Sequence, residues 1–174
     1  MHNGKNGFTL VELMVTLSIA AILLTVAVPN FIIFLQNSRL ASQSNDLATI
    51  LNYARSEAVK GAQRVTVCSR ATDTSCSGAT NWDNGFLVFV DPNGNGTVDA
   101  GEVPLQVRQA MDGDNTLRSG RARITFQANG FSTGFNDTFR LCDARGTASA
   151  RAIVISNQGR TRTNSLAAEG GACP

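Results

Sequence analysis

The sequence predicts an α+β fold in which one long N-terminal helix packs on a mainly antiparallel β-sheet. Three observations predict it. An almost wholly apolar run from Phe8 to Val28 passes into a stripe of apolar residues at helical spacing. After Gly61 the pattern changes to short apolar or alternating runs separated by Gly-, Asn- and Asp-rich turns. The whole chain has 174 residues, enough for one domain and an anchor, without internal repeats or low-complexity linkers.

The first residues are short and polar, with one positive charge at Lys5. At about 1.5 Å per residue, a helix from Phe8 to Val28 spans roughly 30 Å, the thickness of a bilayer's hydrocarbon. Lys5 before the run predicts a cytoplasmic leader and an outward-facing body. A secretory signal would have a shorter apolar core and a small-residue cleavage site. Here the apolar sequence continues through Phe31, Ile32, Ile33, Phe34 and Leu35. A plain single-pass anchor leaves Glu12 unexplained, because a carboxylate inside a membrane helix costs about 2.5–3.5 kcal/mol and requires a partner. Cleavage after Gly7 would create an amine on Phe8, and the Glu12 of one subunit could pair with the Phe8 amine of its neighbour. Pro29, which lacks a backbone donor, predicts a soft break in the helix.

Lys5, Gly7, Phe8, Glu12 and Pro29 together resemble the N-terminus of the type IV pilin and pseudopilin family. The resemblance implies leader removal by a prepilin peptidase between Gly7 and Phe8, and N-methylation of Phe8. It also implies assembly through Glu12 by an inner-membrane assembly platform, beside other major and minor pilins. The implied organisation is a cleaved leader at 1–7, a transmembrane and filament-core helix at 8–35, and a periplasmic or extracellular pilin-like α+β head at 36–174.

From Gln36 to about Gly61, Leu40, Leu47, Leu51, Ala54 and Ala58 make the stripe. Arg39, Asp46, Arg55, Glu57 and Lys60 fall largely off it and read as a solvated face. The segment Tyr53-Ala54-Arg55-Ser56-Glu57-Ala58-Val59 narrows the resemblance to the GspH/FimT branch, which holds minor pilins of type IV pili and a minor pseudopilin of type II secretion. Strands are predicted at Arg64–Cys68, Gly85–Val90, Val103–Val107, Ile124–Phe126, Phe139–Cys142 and Ala152–Ser156. Trp82, Tyr53, Phe131, Phe135 and Phe139 are assigned to packing.

The single histidine, His2, falls in the predicted leader, so the mature chain has no imidazole for triad catalysis or metal ligation. No enzyme and no cofactor is expected. The cysteines are Cys68, Cys76, Cys142 and Cys173, and an exported head meets an oxidising compartment. Four cysteines allow three pairings. The favoured one joins Cys68 to Cys76 and Cys142 to Cys173. A four-cysteine zinc site is the alternative, and the lack of C-x-x-C spacing counts against it.

The segment from Asp91 to Glu102 fits a calcium-loop pattern, with oxygens at Asp91, Asn93, Asn95, Asp99 and Glu102, a turn at Gly96 and a carbonyl at Thr97. Its flanks read as strands, so a hairpin turn without metal is preferred to a calcium-binding turn.

The net charge is only +2, but it is unevenly placed. From Arg118 to Arg162 lie Arg118, Arg121, Arg123, Arg140, Arg145, Arg151, Arg160 and Arg162, opposed only by Asp137 and Asp143. The planar guanidinium fork suits phosphate. In an extended segment Arg160 and Arg162 point to one side, and Gly159 permits close backbone approach. Gly159-Arg160-Thr161-Arg162 resembles the G-R-x-R tail of FimT-type minor pilins, which implies DNA binding during natural transformation. Gly159, Arg160 and Arg162, with Arg145 and Arg151, form the candidate DNA site. The expected partners are therefore pilins, the peptidase, the assembly platform, membrane lipid and DNA. The alternatives are an assembly-priming adaptor at the pilus tip and a type II secretion minor pseudopilin.

Overall fold

The computed structural model describes residues 7–173, so His2 and Lys5 lie outside the described residues. Contacts divide the chain into two compact units, Met1–Ser38 and Arg39–Pro174. Helix α1, Leu10–Gly61, begins in the first and ends in the second.

In the first unit Thr9 starts the helix. Its hydroxyl accepts the Glu12 N–H at 3.2 Å and its carbonyl accepts the Leu13 N–H at 3.1 Å. The large apolar side chains from Phe8 to Leu35 are exposed. The polar ones satisfy themselves on the helix: Thr16, Ser18, Thr25 and Asn30 each donate to a carbonyl three or four residues back, at 2.7–2.9 Å. Each of the four thus finds a backbone acceptor within the helix, which lowers the cost of a polar side chain in hydrocarbon. By length and composition α1 can cross a membrane. It runs without interruption through Pro29, where a soft break was expected. Pro29 removes one helical donor, while the Asn30 side chain adds one to the Val26 carbonyl in the next position.

Among the described residues the second unit holds nine strands, all paired antiparallel. Strands β1 (Val65–Thr72), β2 (Ser75–Cys76), β3 (Phe86–Val90), β4 (Pro104–Arg108) and β6 (Arg123–Phe126) form one sheet, with β1 between β3 and β6. Strands β5 (Thr116–Arg118), β7 (Asp137–Cys142), β8 (Arg151–Ile155) and β9 (Thr161–Ser165) form the other, in the order β5-β7-β8-β9. The helical stripe Leu40, Leu47, Ile50, Leu51, Ala54 and Ala58 closes on the inner faces of both sheets. Trp82 sits fully buried among them, edge-on to Phe139 with ring centroids 4.9 Å apart, and its indole N–H donates to Arg121 O at 3.0 Å.

Both sheets are also covered outside. Cys68, Leu87 and Phe89 pack with Val98 and Val107 on the first, which explains the continuous apolar run of β3. Cys142, Ala152 and Leu166 pack with Val154 and Cys173 on the second. Phe135 is half-buried against the core with the Arg121 and Arg123 guanidinium groups each 5.9 Å from its ring centre. Phe131, assigned to packing from the sequence, is exposed instead.

Candidate functional site

Two regions carry the candidate residues. At the N-terminus, Gly7 and Phe8 precede the helix, and the Phe8 side chain is 78% exposed. Glu12 lies exposed in the first turn, where the helix dipole favours a negative charge. Among the described residues its carboxylate makes no ion pair. The cap supplied by Thr9 was missed, although Thr9 and Glu12 at an S/T-x-x-E spacing are its sequence signal.

The second region is the outer face of the β5-β7-β8-β9 sheet. Residues directly opposite in antiparallel strands share a face. Arg162 is opposite Val154, and Val154 is opposite Thr138. Arg160, just before β9, lines a shallow hollow of about 310 Å³ together with Arg162, Val154 and Ser156. Arg160 and Arg162 are therefore side by side, both exposed. Arg140 is opposite Ala152 on this same face, and across from it Arg118 is bonded to Asp83. Neither Arg140 nor Arg160 makes an ion pair among the described residues.

Two of the grouped arginines are placed elsewhere. Arg151 is opposite Leu141, a core residue, so it lies at the end of the inner face. Arg145 is held by Asp143, which accepts its backbone N–H at 3.0 Å, its Nε at 2.9 Å and its Nη2 at 2.6 Å. Burial pushes the Asp143 carboxyl up, but the bonds from Arg145 outweigh it and hold it below its ordinary value.

Gly159 makes the close approach expected of it, but to protein. It is buried with φ 72°, and its N–H donates to Ser156 O at 2.8 Å, so it closes a three-residue hairpin loop in the left-handed conformation. A Cβ here would stand 2.1 Å from Gly130 O. That carbonyl accepts Arg55 Nε at 3.0 Å. Helix, 127–131 turn and β8–β9 turn thus meet at one carbonyl, and this holds the loop before Arg160. Exposed Phe131 belongs to the same 127–131 turn.

Arg162 is also engaged within the chain. It donates to Glu169, which additionally accepts Asn164 Nδ2. The Asn164 bond, opposed by partial burial and aided by Arg162, holds the Glu169 carboxyl below its ordinary range. Sequence reading missed Glu169 as a neighbour because it returns to β9 through a short 3-10 turn after the strand.

Disulfides join Cys68 to Cys76 and Cys142 to Cys173, with Cα–Cα separations of 5.7 and 5.9 Å. All four thiols are consumed, which removes the four-cysteine zinc alternative. The second bridge ties the tail to the end of β7 across 31 positions, worth roughly 3–4 kcal/mol in the chain-entropy account. The Asp91–Glu102 segment is the β3–β4 loop, flanked by strands. Among the described residues, no three His, Cys, Asp or Glu side chains are grouped, as they stand, so that they could hold a metal.

A family model for the prokaryotic N-terminal methylation motif matches residues 2–28. A second, described as the type II transport protein GspH, matches residues 43–159. Two crystal forms of the type IV minor pilin FimU from Pseudomonas aeruginosa share the fold. One is 24% identical, with 80% of this chain and 96% of that chain covered at a TM-score of 0.63. The other is also 24% identical, covering 76% and 96% at 0.59. No curated protein sequence matches. A long N-terminal helix on antiparallel sheets, a prepilin-type methylation motif and a family match over most of the second unit agree: the chain belongs to the GspH family of minor pilins and pseudopilins.

Proposed function

We propose that this chain is a non-catalytic minor subunit of a type IV pilus that binds the DNA backbone for uptake in natural transformation. The observation that carries it is the pairing of exposed Arg160 and half-buried Arg140 with Arg162 on the outer sheet face, Arg160 and the exposed Arg162 lining one hollow there. The anchored loop before Arg160 presents the pair on an already ordered backbone, so binding has only side-chain freedom to restrict. Two or three arginines without a base-reading element grip phosphates, so recognition is independent of sequence. Membrane anchoring, cleavage between Gly7 and Phe8, methylation of Phe8 and assembly through Glu12 deliver the head to the periplasm and the cell surface.

The test is a gel-shift titration of the full chain in detergent with two duplexes of unrelated sequence. Equal retardation of both, lost in the Arg160→Gln, Arg162→Gln double variant, is the expected result. Unchanged retardation in that variant would remove the assigned site.

A second reading, a minor pseudopilin of type II secretion, is favoured by the family's description as a type II transport protein. The Arg162–Glu169 pair then serves the fold of the tail alone.

A further inference from the structure

The β3–β4 loop holds an arrangement that a hairpin turn does not require. Asp91 is fully buried. Its Oδ2 accepts the Thr66 hydroxyl at 2.7 Å and the Gly96 N–H at 3.0 Å, so the carboxylate bridges β1 and the loop. Its Oδ1 is buried without any hydrogen-bond partner. A buried carboxylate oxygen left without a donor or a cation is strongly unfavourable.

The other polar side chains of the loop bond to one another and to its backbone. Asn93 and Asn95 both donate through Nδ2 to Asp99 Oδ2, each at 2.8 Å. The Asp99 carboxyl is held below its ordinary value by those two bonds, Asn93 first. The side-chain oxygens of Asn93 and Asn95 accept the N–H groups of Asn95 and Thr97, at 3.0 and 2.8 Å, and Asn95 Oδ1 also accepts the Thr97 hydroxyl at 2.8 Å. Glu102 Oε2 accepts the Asp99 N–H at 3.0 Å, which leaves Oε1 for another partner. Gly96, with φ 74°, allows the chain to double back over Asp91.

Charge completes the picture. Asp91, Asp99 and Glu102 make no ion pair among the described residues. Arg64 and Arg123 reach the loop, but they donate to the Pro92 and Asn95 carbonyls and not to a carboxylate. Three negative charges in twelve positions thus lack a positive partner, and one presents a buried, unused oxygen.

We propose that this loop is a calcium site. As they stand, Asp91, Asp99 and Glu102 are not grouped to hold an ion; the ion would draw the loop closed, with Asp91 Oδ1, the side-chain oxygens of Asn93, Asn95, Asp99 and Glu102, and the Thr97 carbonyl as its ligands. A cation would give Asp91 Oδ1 its partner and take over from the two amides as the positive neighbour of Asp99. Six or more oxygens of mixed type in an irregular shell suit calcium, while magnesium demands a near-ideal octahedron and keeps its waters. Three carboxylates and an exposed loop place the affinity with extracellular modules and the weaker sensors, at Kd of about 10⁻⁵–10⁻³ M. The site does not depend on whether the chain binds DNA.

The experiment is calorimetric titration of the full chain in detergent, stripped with chelator, with calcium chloride and then with magnesium chloride. Thermal melts are recorded with and without calcium. One calcium per chain, a raised Tm and at least about tenfold weaker magnesium binding are expected. Asp99→Ala, at an exposed position, and Glu102→Gln should each weaken calcium at least about tenfold and abolish the rise in Tm. Neither should change the Tm in chelator by more than the Asn93–Asp99 and Asn95–Asp99 bonds account for. No heat at about 10 mM calcium, unchanged binding in both variants, or equal affinity for magnesium would overturn the assignment.

Discussion

Arg162 donates through Nη2 to both carboxylate oxygens of Glu169, at 3.2 and 3.1 Å. An arginine assigned to phosphate is therefore already held by a carboxylate, one that also collects Asn164. Arg162 remains 62% exposed, so the pair is a surface pair and contributes little to stability. Its effect is on availability. Replacing Glu169 with Gln should leave the unfolding free energy within about 0.5 kcal/mol of the wild type and tighten DNA binding several-fold at low salt. Anisotropy titration of labelled duplex reads this directly. Weaker binding in Glu169→Gln would show that Glu169 positions Arg162 rather than competing for it.

Gly159 and Gly134 separate conformational strain from collision. Both have positive φ, 72° and 82°. A Cβ at Gly134 meets nothing within 4 Å, whereas one at Gly159 would stand 2.1 Å from Gly130 O. Gly134→Ala should cost about 1–2 kcal/mol, the price of the left-handed region. Gly159→Ala should cost clearly more, because the β8–β9 turn must leave the carbonyl that Arg55 also holds. Chemical denaturation of the two variants gives the difference. Equal losses would mean that the contact with Gly130 is not maintained in solution.

Much of this architecture was legible in the sequence, and the omissions share a cause. Leu40, Leu47, Leu51, Ala54 and Ala58 are all buried, because a stripe at helical spacing must find cover. The run Phe86–Val90 is a strand covered on both faces. Strand β9, Thr-Arg-Thr-Asn-Ser, was missed because it is an edge strand with no apolar alternation, and its register comes from β8. Strand β5 has three residues, too few for a period. The grouping of Arg145 and Arg151 with Arg160 and Arg162 needed the register, since one position of parity decides which face Arg151 shares. Phe131 resembles its core neighbours Phe135 and Phe139 in type, and only the turn around Gly130 turns it outward.

The acid dependence of stability follows from Asp143. Its folded pKa lies below the ordinary 3.8. A depressed carboxylate contributes stability that is present above the unfolded value and lost as pH falls through the folded one. Glu169 and Asp99 are shifted in the same direction. The Tm should be nearly flat from pH 7 to about 5 and fall below about pH 4. Asp143→Asn, which loses the charged bonds to Arg145, should lower stability by about 1.5 kcal/mol at pH 7 and flatten the acid fall. A variant with the same acid slope as the wild type would place the titrating groups elsewhere.

Glu12 tests assembly apart from anchoring. Replacing it with Leu removes a charge costing about 2.5–3.5 kcal/mol in a membrane helix, so insertion should be preserved or improved. The partner of the Phe8 amine is lost at the same time. Membrane fractions should contain the Glu12→Leu chain at wild-type levels, while sheared filaments should lack it. Normal recovery in filaments would count against the pairing.

DNA binding by the Arg160 and Arg162 face is the central claim, and its salt dependence is the most direct measurement. Each phosphate neutralised contributes about −0.9 to the slope of log K against log salt. For the full chain in detergent on a labelled duplex, anisotropy should give a slope of about −2 to −3, shared among Arg160, Arg162 and Arg140. The Arg160→Gln, Arg162→Gln variant should bring it close to −1 and weaken binding at every salt concentration. A slope that is unchanged in the variant, or a wild-type affinity indifferent to salt, would contradict the account.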